Sequence, residues 1–167
     1  MISTSHLIIG SALGVATGNP VGAFFVGAAS HFVADALPHV DIGSFRNDDR
    51  KGTLNLNKSE YYEAYLDLII GGIIVLFFIF KLPYDQSINA FWGAAGGISI
   101  DVIDNSPYWS TVTRKWSVFR YLHSLHEKIH TNVGDHLPKG YWPIGVATQI
   151  IAIGFSIFYL LKFTGIM

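Results

Sequence analysis

The chain has 167 residues, half of them hydrophobic and only 14% charged, with a net charge of −1 and no cysteine. An ordinary soluble domain carries about 25% charged residues, and the mean hydropathy here is +0.37, so residues 1–167 read as one small integral membrane domain. Near-neutral charge leaves no electrostatic footprint for nucleic acid, and the missing cysteines exclude disulfides, thiolate ligands and a cysteine nucleophile. Six helices are expected in chain order. The first runs from about Thr4 to Thr17; the first basic residue of the chain is Arg46, so this N-terminal stretch lacks the basic region of a secretory signal and reads as mature sequence. The second follows "GNP", with Asn19 as cap and Pro20 at the first helical position, and ends near Leu37 because Pro38 cannot continue it. Residues 42–58 form a polar loop. The third helix opens at "NKSE", where Asn57 and Glu60 have capping-box spacing, and runs to Leu82. The fourth covers "SINAFWGAAGGISIDVI", the fifth is the amphipathic "KWSVFRYLHSLHEKIH", and the sixth is the apolar "PIGVATQIIAIGFSIFYLL".

The fold class is therefore all-α: a polytopic membrane helical bundle of two helical hairpins, with an amphipathic His-rich helix and a C-terminal span. A bilayer core needs about 20 apolar residues, which the third and sixth helices supply. The first is short, and either spans or forms a re-entrant hairpin with the second. Glycine and alanine crowd the first, second and fourth helices, and small residues let membrane helices approach closely. "GAASHFVAD" (27–35) also aligns with "GAAGGISID" (93–101), a faint internal repeat that ends in Asp35 and Asp101. Trp92, Trp109, Trp116 and Trp142 suit an aromatic interface belt.

Nine of the eleven Lys and Arg residues fall in two regions, 42–58 and 107–142. Two crossings separate these regions, so both lie on one side, which the positive-inside rule names cytoplasmic. The polar residues follow the same division. His31, Asp35, His39 and Asp41 lie at that end of the second helix, Asp67 near the start of the third, and Asp101 and Asp104 at the end of the fourth. His123, His126, His130 and His136 lie in the connection before the sixth, and a hairpin of the first two helices brings His6 to the same face.

His31 and Asp35, four apart, share a helix face, and His–carboxylate sets at helical spacing are how helix bundles build metal sites. The plainer alternative for His31–Asp41 is a helix end that solvates itself. An acid near the bilayer, such as Asp101 or Asp104, is costly and marks function by default; the alternative is pairing with Arg114 or Arg120. Asp67 is either a ligand or an interfacial acid. His123, His126 and His130 form a stripe at i, i+3 and i+7. "HEKIH" also has the literal zincin form, which makes Glu127 a minor candidate for general base. Without thiolates, such a site suits Zn, Mn, Fe or Mg.

"TSH" at His6, "LPHVD" at Leu37–Asp41 and "HSLHEKIH" at 123–130 resemble the bacterial membrane-bound metal-dependent hydrolase family, distantly related to zinc-dependent phospholipase C. His39 stands where that family usually has Asp, and its His-Arg-Gly-x-Thr-His motif is absent. The resemblance implies an inner-membrane hydrolase facing the cytoplasm and acting on a phosphoester or lipid phosphate. The metal set is His6, His31, Asp35, His39, Asp41, Asp101, Asp104, His123, His126 and His130. Zinc is favoured, with Mn or Mg as alternatives. The lipid bilayer is the expected partner. Two other readings stay open: an ion-coupled transporter using Asp101, and a non-enzymatic membrane protein with a structural metal.

Overall fold

The computed structural model describes residues 1–46 and 56–166. Among these the chain is all-helical, with no strand and only isolated backbone bridges. The helices are α1 (Ser3–Val15), α2 (Pro20–Asp35), α3 (Lys58–Lys81), α4 (Tyr84–Asp104), the short α5 (Ser110–Thr113), α6 (Ser117–Ile129) and α7 (Trp142–Leu161), with a 3₁₀ turn at Lys139–Tyr141 leading into α7.

The local signals explain most boundaries. The Asn19 side chain accepts from the Gly22 amide at 2.7 Å and Pro20 opens α2. Asn57 and Glu60 form a reciprocal capping box at the start of α3, which satisfies two amides that a helix start leaves unpaired. α4 begins three residues before the expected Ser87, because Pro83 fixes an extended entry and the Ser87 hydroxyl bonds the Tyr84 carbonyl inside the first turn.

α1 lies at the centre, touching α2, α3, α4 and α7. Glycine makes the α1–α2–α4 contact close. A Cβ on Gly10, Gly14, Gly27 or Gly93 would collide with the backbone of a facing helix. The two segments of the faint repeat meet at this contact: Gly27 faces Gly93 across the α2–α4 interface.

Two helical segments, Lys58–Lys81 and Lys139–Leu161, are long and apolar enough to cross a membrane. Their outer faces are uncovered; Ile69, Ile73 and Phe80 of α3 and Ile150, Ile151 and Phe155 of α7 are exposed. α1 and α2, with 13 and 16 residues, fall short of the ~20 that a full span needs. At one end of the bundle, α1 begins beside the first turns of α3: the Thr4 amide donates to Asp67 Oδ2 at 3.2 Å and the Thr4 hydroxyl to the Asp67 carbonyl at 2.8 Å. α2 and α4 finish at that end, and α6 packs against both. The polar residues converge there.

Candidate metal centre

Asp35, the last residue of α2, is fully buried. The Nε2 atoms of five histidines surround its carboxylate. His126 lies 3.0 Å, His31 3.1 Å and His130 3.5 Å from Oδ2; His6 lies 3.2 Å and His39 3.9 Å from Oδ1. Asp41 adds a second carboxylate, with Oδ2 at 3.4 Å from His130 Nε2 and 3.6 Å from His39 Nε2. Asp101 adds a third, at 3.7 Å from His31 Nε2. The Met1 ammonium pairs with Asp35 and lies 3.8 Å from Asp41, so these carboxylates already hold a cation between them.

The backbone fixes this convergence. His31 and Asp35 share a face of α2 by their i, i+4 spacing. Beyond the helix, the Thr131 amide donates to the Asp35 carbonyl at 2.9 Å and the Val133 amide to the His39 carbonyl at 2.8 Å. The segment after α6 is thereby laid against the segment after α2, which brings His130 to His39. A turn from Asp41 to Ser44 seats Asp41, whose amide donates to the Ser44 hydroxyl at 2.7 Å. Gln149 of α7 accepts from the Val40 amide at 3.2 Å.

The far sides of the rings are anchored. His31 Nδ1 donates to the Gly97 carbonyl at 2.8 Å, His39 Nδ1 to the Leu37 carbonyl at 2.8 Å, and His126 Nδ1 to Asp104 Oδ2 at 3.1 Å. A ring whose Nδ1–H is so held turns Nε2 inward as the metal-binding atom, the arrangement typical of ligand histidines. Asp104 is itself held by Arg114 Nε and His123 Nδ1, each at 3.0 Å.

Two observations test whether these groups fit an ion. His39 Nε2 and both ring nitrogens of His6 are buried without a hydrogen-bond partner, and buried polar atoms are rarely left so. In addition, His31 Nε2, His126 Nε2 and Asp35 Oδ2 form a triangle with edges of 3.0, 3.1 and 3.2 Å. Ligands at ~2.0–2.1 Å on a tetrahedral ion sit about 3.3 Å from one another, so this triangle has the dimensions of one face of such a shell. Among the described residues three overlapping groups, His6–His31–Asp101, His31–Asp35–His126 and Asp35–His39–His130, each place their ligand atoms within 4.8 Å of one another. Buried His and Asp groups here could bind a metal ion.

The charge states differ within the cluster. Burial opposes charge on His126, but its bonds to Asp104 and Asp35 outweigh that and push it up to about 10. Burial dominates at His130 and, against the attraction of Asp41, lowers it to about 4. Burial would raise Asp41, yet the Met1 ammonium and His39 hold it well below the usual carboxylate range.

Of the residues expected from sequence, His6, His31, Asp35, His39, Asp41, Asp101, His126 and His130 lie together. Asp104 touches the cluster through His126 Nδ1, and His123 stands behind Asp104, partly exposed. Glu127 is exposed on α6 and, among the described residues, makes no hydrogen bond or ion pair with the cluster's carboxylates or rings. Asp67 bonds Thr4, and His136 Nδ1 bonds Asn132 at 2.6 Å. The supporting Gln149 went unpredicted, although a lone amide in the apolar run of α7 is the kind of signal that marks a buried partner. The Gly97 and Leu37 carbonyls carry no side-chain signal at all. Comparison of the chain with protein-family models, with curated proteins and with solved structures finds no match.

Proposed function

We propose that the protein is a polytopic membrane metal-dependent hydrolase acting on a phosphoester or lipid phosphate at one membrane face. The observation that carries this reading is the convergence of five inward Nε2 atoms on the Asp35 carboxylate. Asp35 belongs to two of the three ligand groups, which suits a carboxylate shared by two ions. His31 and His126 would hold one ion through Asp35 Oδ2, with His6 and Asp101 beside them. His39 and His130 would hold the other with Asp41. Zinc accords with a donor set of imidazole and carboxylate without thiolate.

A bound divalent ion supplies Lewis-acid stabilisation of phosphoryl charge and a lowered pKa for water. The chain's own residues orient and enclose. Asp104 and the Gly97 and Leu37 carbonyls fix the ring tautomers, while Asp41 and Asp101, 14% and 22% exposed, are the carboxylates that an entering substrate meets first. His130 stays neutral at physiological pH and is ready as a donor atom.

The membrane setting rests on α3 and α7 with their bare apolar faces. α4 completes a hairpin with α3, and α1 with α2 forms a shorter one. Basic residues at the start of α3 and between α4 and α7 flank the cluster's end of the bundle, whereas Lys81 and Lys162 close the far ends of α3 and α7. By the positive-inside rule the cluster faces the cytoplasm, across the inner membrane in a bacterium.

The test is turnover by the purified chain in lipid vesicles loaded with zinc or manganese. Metal-dependent phosphate release from a lipid phosphate, lost in Asp35→Ala, is the expected result. Stoichiometric metal without turnover on any phosphoester would leave a structural metal, and cation-coupled uptake abolished by Asp101→Asn would favour transport.

A further inference from the structure

A cleft of about 270 Å³ lies between α3 and α4, directly beside the cluster. One side of it is polar and belongs to the cluster: Asp41, Asp101 and His130. The remaining wall is mostly apolar, with Leu68 from α3, Ile98 and Val102 from α4, and Trp109 from the segment after α4, and is interrupted by Asp67 of α3 and by Asn105 and Ser106 just after α4. The Trp109 indole N–H is spent on the Val102 carbonyl at 2.8 Å, so its ring offers the cleft no free donor. The Tyr65 and Tyr108 hydroxyls bond each other at 2.9 Å, which ties α3 to that segment at the rim.

We infer that this cleft takes the hydrocarbon chain of an amphiphilic phosphoester while its phosphate reaches the metal centre at Asp41, Asp101 and His130. The inference deepens the hydrolase reading and rests on it. An apolar wall left to water is unfavourable, and a cleft that changes from apolar to ligand-bearing within one cavity matches a molecule with the same division. The volume lies just under the ~300 Å³ at which small-molecule sites begin, which admits one chain. One side of the cleft is α3, through Leu68, and α3 is one of the two segments long enough to span, so a chain lying in the leaflet reaches the cleft sideways.

The test compares butyl, hexyl and decyl phosphate as ligands of the full zinc-loaded chain held in amphipol, with binding read by calorimetry and metal content measured in parallel. Each methylene that leaves water strengthens binding by about three- to fourfold at full burial, so a decyl-to-butyl affinity ratio of at least tenfold is expected. Leu68→Trp, which fills the cleft, should collapse that ratio while keeping its zinc; Tyr65→Phe, which removes only the rim bond, should preserve it. A ratio near one with zinc-dependent binding of all three phosphates overturns the cleft assignment and leaves the metal reading standing. A large ratio unchanged by Leu68→Trp also overturns it, since the chain then binds elsewhere. Phosphate binding that ignores zinc, or absent zinc, overturns both.

Discussion

Asp35 Oδ2 and His126 Nε2 lie 3.0 Å apart although 91 residues separate them in the chain. The contact joins the end of α2 to the last turn of α6, and it is the closest of the five imidazole approaches to Asp35. Its other side is equally determined, because His126 Nδ1 is held by Asp104. An Asp–His–Asp relay of this kind orients a ring at both nitrogens.

Asp104 would therefore act on a bound metal through His126. Removing an outer partner of a ligand histidine typically costs 10–100-fold in metal affinity. Asp104→Asn should weaken zinc binding by about that factor while leaving the stoichiometry at saturation intact. His123→Ala, one step further out, should cost less. Competition with a chromophoric chelator measures both, and equal losses in the two variants would contradict the relay.

Glu127 separates this centre from a zincin-type reading of "HEKIH". His126 and His130 both reach Asp35, but Glu127 points to solvent. Glu127→Gln should leave zinc content and any turnover within about twofold of the parent, as expected for a surface site. A loss of two or more orders of magnitude would make Glu127 the general base.

Proton release gives an independent reading. With His126 at about 10 and His130 at about 4, the metal-free protein at neutral pH carries one proton on the cluster's His126 and none on His130. Metal must displace the first and not the second. Affinity should thus rise roughly tenfold per pH unit between about pH 5 and 9, because fewer protons compete as pH increases. Below the His130 value the dependence should steepen. Calorimetry in buffers of different ionisation enthalpy counts the proton, and pH-independent binding across this window would contradict the assignment.

The glycine contacts predict a contrast in stability. Gly93→Ala drives a methyl into the α1 backbone, whereas Gly72 in α3 has open space around it. Overpacking costs about 1–3 kcal/mol or more, so Gly93→Ala should lower the unfolding temperature and the zinc content together. Gly72→Ala should be neutral or stabilising by up to about 1 kcal/mol from helix propensity. Thermal unfolding in detergent checks the pair, and equal shifts would mean that the close approach does not hold the bundle.

Much of this was legible in the sequence because it is local. Asn19–Pro20 and Asn57–Glu60 are cap signals and mark the starts of α2 and α3. The pairs His31/Asp35 and His126/His130 are recognisable from i, i+4 spacing alone. What a stripe cannot tell is how far around the helix the neighbours extend. His123 shares a stripe with His126 yet ends behind Asp104, and Asp101 and Asp104, three apart, divide between the cleft and the relay. α5, with four residues, is too short to show a period, and the carbonyl anchors of His31 and His39 depend on backbone placement that no residue type announces.

The most direct test of the central claim is the metal content of the purified chain, loaded with zinc and washed, measured by elemental analysis beside Asp35→Ala and Asp35→Asn. The parent should retain roughly one to two equivalents and Asp35→Ala less than about a tenth of that, with helical content unchanged by circular dichroism. A parent that retains no metal, or an Asp35→Ala variant that retains as much as the parent, would contradict it.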